Sequence, residues 1–182
     1  MALHAGAWIE KKQTGGNMIY TCVIDTPVGA MRAAAKHNAL IRLDFTEQQR
    51  FAPDTAGWSD APQEPVFERL HEWLATYFSG KAPTITPPLN PHGTAFRHAV
   101  WDLLLQIPYG ETTSYGALAH KLGSSKGCSA RAVGGAVGHN PISIIIPCHR
   151  VIGADGNLTG YGGGLDRKRA LLSLERVRLS DT

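Results

Sequence analysis

The sequence predicts a mixed α/β (α+β) protein. A small N-terminal sheet with a helix should precede a mainly helical, winged-helix-like domain that contains a helix-turn-helix. Three observations predict this. Short alternating apolar segments crowd into Met18–Phe45, each bounded by turn residues. Four prolines and a glycine fill Pro83–Gly93, the strongest linker signal in the chain. From Thr94 onward apolar residues recur at helical spacing between Gly-containing turns.

Met1–Asn17 lacks the charged start and apolar middle of a signal peptide and reads as a loose tail. Met18–Ile24 alternates like a strand, and Asp25-Thr26-Pro27-Val28-Gly29 is a turn. Ala30–Lys36 and Ala39–Phe45 read as strands joined by a hairpin at His37-Asn38. A loop over Pro53–Pro65 leads to a helix carrying Phe67, Leu70, Leu74, Tyr77 and Phe78, which Gly80 can close. After the linker, Thr94 can cap a helix with Phe96, Val100, Leu103, Leu104 and Ile107 on one face. The expected organisation is therefore a tail (1–17), an N-terminal α/β domain (18–82), a linker (83–93) and a C-terminal domain (94–182).

A chain of 182 residues with 43% hydrophobic and 18% charged residues is an ordinary soluble composition. A formal charge of +3 permits an anionic partner without demanding one. No apolar run reaches the ~18 residues of a membrane span, so no membrane association is expected. Cys22, Cys128 and Cys148 form no C-x-x-C pair, and the histidines show no ligand spacing. An odd, sparse cysteine set suits a reducing, cytoplasmic compartment with one thiol kept for reactivity. Cys22 lies in an apolar strand and reads as core; Cys128 lies in a polar loop.

The richest stretch is Ile144-Ile145-Ile146-Pro147-Cys148-His149-Arg150-Val151. The isoleucines suit a short buried strand, and Pro147 should stop it, delivering Cys148 at the lip of the core. A thiolate is the nucleophilic form, and only about 3% of an ordinary thiol is ionised at pH 7. An imidazole at His149 could raise that fraction. The alternative for Cys148 is an inert structural thiol.

Upstream, Ser114 can cap a helix with Tyr115, Leu118, Ala119 and Leu122 at helical spacing, ended by Gly123. Ser129 can cap a second helix with Ala130, Val133, Gly134 and Val137 inward. Its other face, Ala132, Gly135, Ala136 and His139, is nearly bare, with Arg131 the one long cation beside it. A base-reading helix would carry several long polar side chains. A bare helix suits close approach to a nucleic acid with one cation to insert, or else close packing against another helix. Downstream, Gly160, Gly162, Gly163 and Gly164 surround Tyr161, offering backbone N–H groups and a ring to a flat ligand edge. Leu165–Leu179 reads as a final helix in which Leu171, Leu174 and Glu175 share a face. A carboxylate on an apolar stripe needs a partner, and His149 is the one that would give it a purpose.

Pro147-Cys148-His149-Arg150-Val151 resembles the active-site signature of the O6-alkylguanine-DNA alkyltransferases. Ser114-Tyr115-Gly116, Ala130–Ala136, Asn140-Pro141, Gly160–Gly164 and Leu171-Leu172-x-x-Glu175 follow in that family's order and spacing. The likeness is close over Thr94–Glu175 and looser over Met18–Gly80. The resemblance implies that Cys148 accepts the alkyl group, with His149 drawing off its proton through a water and Glu175 orienting His149. It implies that Tyr115 donates a proton toward guanine N3, that Arg131 replaces the extruded base from the minor-groove side, and that Asn140 braces the active-site turn. Ser114, Ala130, Ala132, Gly134 and Gly135 would then meet DNA, while backbone at Cys148 and Val151, with Tyr161, Gly162 and Gly163, would line the base pocket. The implied partner is double-stranded DNA carrying O6-alkylguanine, with O4-alkylthymine as a second lesion. The implied protein is a monomer that acts once per molecule, with no cofactor and no structural zinc. Two other readings compete: a damage-flagging binder, against which the cysteine itself argues, and a cysteine hydrolase, which leaves Arg131 and the bare helix unexplained.

Overall fold

The computed structural model describes residues 17–47, 55–123 and 128–177. They fall into two compact units that divide between His92 and Gly93. The first unit carries a four-stranded sheet of β1 (Tyr20–Ile24), β2 (Met31–Lys36), β3 (Ala39–Phe45) and β4 (Ser59–Asp60) in the order β3-β2-β1-β4. β1, β2 and β3 pair antiparallel, whereas the short β4, unforeseen within the loop, adds parallel to β1. The hairpin falls at His37 (φ 52°) and Asn38 (φ 58°), the two left-handed positions that a two-residue connection between twisted strands requires. Ala33, Ala34 and Ala35 of β2 are all buried. Helix α1 (Pro65–Phe78) starts with a proline in its first turn and buries Val66, Phe67, Leu70, Trp73, Leu74 and Tyr77. Cys22 is buried in this core.

The segment expected as linker is tied to this unit. Leu40 N–H donates to Pro88 O, Asn90 N–H donates to Leu40 O, and Leu89 is fully buried. Proline spacing announced an extended segment, but Leu89 gives it an apolar residue to bury, so it adds to the edge beside β3.

The second unit opens with α2 (Ala95–Leu105), capped by the Thr94 hydroxyl, which accepts from Arg97 N–H. The buried face is Val100, Trp101 and Leu104, continued by Ile107 beyond the helix. Phe96, expected on that face, is 41% exposed; Trp101 takes the interior and donates its indole N–H to Ala136 O at 3.1 Å. Two further short helices follow: α3 (Tyr115–Lys121), capped by Ser114, and α4 (Ala130–Gly138), capped by Ser129. They pack together as the expected helix pair. Its connecting loop lies partly outside the described residues. The inner face of α4 runs Val133, Ala136 and Val137 and continues to Asn140, so the seam starts at Val133 and Ala130 is exposed.

The isoleucine run is not a strand. Ile142–Ile146 is a buried turn, with Ile144 at φ 69° and Ile146 N–H returning to Ile142 O. Three β-branched residues signalled burial correctly, but the run is too short, between α4 and Pro147, to find a ladder partner. A 3-10 turn, Cys148–Arg150, leads into β6 (Val151–Ile152), which pairs parallel with β5 (Thr113–Ser114). Helix α5 spans Leu165–Leu174 and stops five residues short of the expected end; Glu175 is its C-cap and Arg176 turns left-handed at φ 61°. Leu179 lies outside the described residues.

Candidate active site

The β5–β6 pairing builds the site. Thr113 lies opposite Val151 and Ser114 opposite Ile152, so the start of α3 is laid beside the strand that leaves the Cys148 turn. Tyr115 and Cys148, 33 positions apart in sequence, come into one neighbourhood by this short pairing.

Cys148 is 8% exposed, and Asn140 Nδ2 donates to its sulfur at 3.0 Å. The same amide donates to Ile146 O at 2.8 Å, and Asn140 Oδ1 accepts from Ile142 N–H at 3.0 Å. One buried side chain thus closes the turn that precedes Cys148. A backbone bond from Cys148 N–H to Ile146 O finishes it.

His149 is fully buried, with Nε2 2.7 Å from Glu175 Oε1. A carboxylate only accepts, so Nε2 carries the proton and Nδ1 is the basic nitrogen of the neutral ring. Glu175 has three more donors. Arg150 Nε reaches Oε2 at 2.8 Å, Arg150 Nη2 reaches Oε1 at 3.0 Å, and Gly110 N–H reaches Oε2 at 3.1 Å. Arg150 is itself held by Ile107 O at 2.7 Å. Burial by itself would raise the Glu175 carboxyl, but the bonds and charges of His149 and Arg150 bring it down to about 2. The carboxylate is therefore ionised and fully satisfied.

The sulfur behaves differently from the sequence expectation. Burial pushes the Cys148 thiol up, and the Asn140 bond and the Lys168 charge offset this only in part. Burial also pulls His149 down, against the pull of Glu175 and with the repulsion of Arg150 and Lys168. At neutral pH the resting pair is thiol and neutral imidazole, not thiolate and imidazolium. The correction follows from depth: a desolvated ion pair is unfavourable when the imidazole's counter-ion is already shared with an arginine.

Two residues were missed. Arg150 neutralises Glu175. Lys168, fully buried, donates through Nζ to Val151 O at 2.5 Å and Thr159 O at 2.9 Å. Burial brings its ammonium from an ordinary 10.5 down to about 8. A signal for it existed: Lys168, Leu171, Leu172 and Glu175 keep i, i+3, i+4, i+7 spacing, so the stripe that singled out Glu175 also contains a lysine. Arg150 had no signal beyond adjacency to His149.

The remaining predicted residues are placed as follows. Val151 is buried at the start of β6, and the Tyr161 ring lies edge-on to His149 with centroids 6.4 Å apart. Gly163 is buried and Gly162 exposed in the loop before α5. Tyr115 Oη accepts from Thr159 Oγ1 at 3.1 Å. Gly134 faces the Tyr115 ring, where a Cβ would meet Cδ1 at 3.6 Å, while Gly135 has nothing within 4 Å. Ala130, Arg131, Ala132 and Gly135 form the exposed face of α4, and Ser114 is committed to capping α3. Arg131 makes no side-chain hydrogen bond or ion pair among the described residues, and it is not part of the Cys148 cluster. No three His, Cys, Asp or Glu side chains among the described residues converge to hold a metal ion. No helix there is long and apolar enough to cross a membrane.

This arrangement can deliver a sulfur nucleophile whose proton leaves toward a carboxylate-oriented imidazole, beside an open, small-residue helix. The comparisons with known proteins agree with that chemistry. Residues 95–177 match the 6-O-methylguanine DNA methyltransferase DNA-binding domain, and residues 18–91 match the ribonuclease-like domain of the same proteins. A methylated-DNA–protein-cysteine methyltransferase of Mycobacterium bovis is 47% identical over 161 residues, covering 88% of this chain and 94% of its own length. One of Haemophilus influenzae is 43% identical, covering 90% and 89%. Among solved structures, a Mycobacterium tuberculosis O6-methylguanine methyltransferase superposes with a TM-score of 0.77 at 45% identity, covering 90% of this chain and 97% of that one. The M. tuberculosis OGT solved in complex with DNA gives 0.78 at 46% identity, covering 86% and 93%. With both folded units matched and relatives above 40% identity along nearly their whole length, the chain belongs to the methylated-DNA–protein-cysteine methyltransferase family.

Proposed function

We propose that this protein takes the alkyl group of O6-alkylguanine directly onto Cys148, once per molecule, from a nucleotide rotated out of the duplex toward the minor groove. In its coarser form the activity follows from the family: the chain is a DNA-repair methyltransferase that moves a methyl group from DNA to its own cysteine. The observation that carries the finer reading is the convergence on one sulfur. Asn140 holds it at 3.0 Å, and the next residue in the chain is a buried imidazole fixed by Glu175 at 2.7 Å.

The chemistry balances as a displacement at carbon. The sulfur–carbon bond forms as the carbon–O6 bond breaks, and the electron pair goes to the base. His149 Nδ1 takes the thiol proton through a water, and Tyr115 gives a proton to guanine N3, which makes the base a better leaving group. Solvent then returns a proton from the imidazolium to the phenolate. A thioether does not hydrolyse, so the sulfur is spent. A base inside a duplex offers no in-line approach to a protein thiol, hence the extrusion. The exposed α4 face supports this, since small residues allow close contact with the backbone and Arg131 is the long cation able to fill the gap. The pocket is assigned to Val151, Tyr161, Gly162 and Gly163. O4-alkylthymine is the second substrate of the proposal, and a cytoplasmic monomer working at the DNA is its expected form.

The test is the mass of the protein after exposure to a duplex carrying one labelled O6-methylguanine. One methyl per molecule on Cys148, with none on Cys148→Ala and duplex binding retained, is expected. Label release as a small product, repeated turnover, or lesion loss with position 148 unmodified would overturn the proposal.

A further inference from the structure

The loop that carries Tyr161 also carries Thr159, which the reaction as described does not use. Its hydroxyl is not a loose surface group. Lys168 Nζ clasps Thr159 O at 2.9 Å and Val151 O at 2.5 Å, so a buried ammonium ties the loop to the strand leaving the nucleophile. Lys168 in turn sits on α5, within reach of no solvent at all. From that fixed backbone, Thr159 Oγ1 reaches the Tyr115 hydroxyl at 3.1 Å, across 44 positions of sequence. The Tyr115 ring also lies over Gly134 of α4, where an added Cβ would meet it at 3.6 Å.

A phenol has one proton and two acceptor lone pairs. If Tyr115 gave that proton to Thr159, none would be left for a base. Thr159 Oγ1 has no other partner among the described residues, so it is free to donate, and the phenolic proton is then available for a second acceptor. A chain of hydroxyls polarised in one direction also strengthens each donor along it. We infer that Thr159 is a positioning residue, whose hydroxyl donates to Tyr115 Oη and leaves the phenolic proton directed at the bound base. This rests on the reading of Tyr115 as proton donor.

The experiment is a double-mutant cycle on single-turnover alkyl transfer at saturating duplex, with duplex affinity and thermal unfolding measured alongside. Thr159→Val keeps the shape and removes the hydroxyl. It should slow transfer about threefold to tenfold, the scale of one neutral hydrogen bond, with affinity unchanged. Thr159→Ser should restore the rate. In a Tyr115→Phe background Thr159→Val should add nothing, because there is no longer a proton to direct. Three results separate the ideas. If Tyr115→Phe is slow but Thr159→Val is not, the inference fails and the donor role of Tyr115 stands. If Thr159→Val is equally slow in both backgrounds, Thr159 acts by supporting the loop and the inference fails. If Tyr115→Phe itself transfers at the full rate, the reading beneath the inference fails.

Discussion

Replacing Glu175 with glutamine removes one charge while keeping the volume, and the structure sets the consequence. The carboxylate accepts from His149, twice from Arg150 and from Gly110 N–H, with its side chain wholly out of solvent. Its pKa falls from an ordinary 4.5 to about 2 in the folded state. At roughly 1.4 kcal/mol per unit, the ionised form contributes about 3 kcal/mol to folding. The folded pKa lies below the unfolded one. The contribution is therefore complete above pH 4.5 and is lost as pH falls toward 2. Glutamine cannot ionise, offers one carbonyl acceptor, and leaves Arg150 buried without a counter-charge, a class of change that costs about 3–5 kcal/mol. Urea unfolding followed by tryptophan fluorescence should find Glu175→Gln less stable by about 3 kcal/mol at pH 7. The gap to the unmodified protein should narrow by about 2 kcal/mol on going to pH 3. A gap under ~1 kcal/mol, or one that does not change with pH, would refute the reasoning.

Two further substitutions probe the helix face and the turn. Arg131→Ala should slow repair of an alkylated duplex by about tenfold or more, since extruding a base costs a few kcal/mol, yet leave reaction with free O6-methylguanine within about twofold; rates measured on both substrates decide, and equal losses would remove Arg131 from base extrusion. Asn140→Ala strands the buried Ile142 N–H, leaves Ile146 O with the Cys148 N–H alone and frees the sulfur. A loss of about 2–3 kcal/mol in unfolding free energy is expected, with slower alkylation of Cys148; a loss below ~0.5 kcal/mol would mean the turn holds without that amide.

Much of the fold was legible because it is written in local patterns. The hairpin at His37-Asn38 and the hydroxyl caps at Thr94, Ser114 and Ser129 depend on residues a few positions apart, and the structure has each of them. Errors arose where a pattern was short or had two faces. Ile144–Ile146 announced burial but not its form, since three residues cannot choose between a strand and a turn that a remote amide closes. Phe96 and Trp101 competed for one interior, and only packing could rank them.

By itself, then, the sequence determined the order of most elements, the caps of three helices and the need of Glu175 for a partner, because spacing and side-chain chemistry are local properties. Tertiary structure alone decided how that need is met and what state the sulfur rests in. Arg150 shares the carboxylate, Lys168 stitches Val151 to Thr159, and burial pushes the Cys148 thiol up. The reason is physical: an electrostatic environment is the sum of what many distant segments bring to one point, and its sign is fixed only when they have packed.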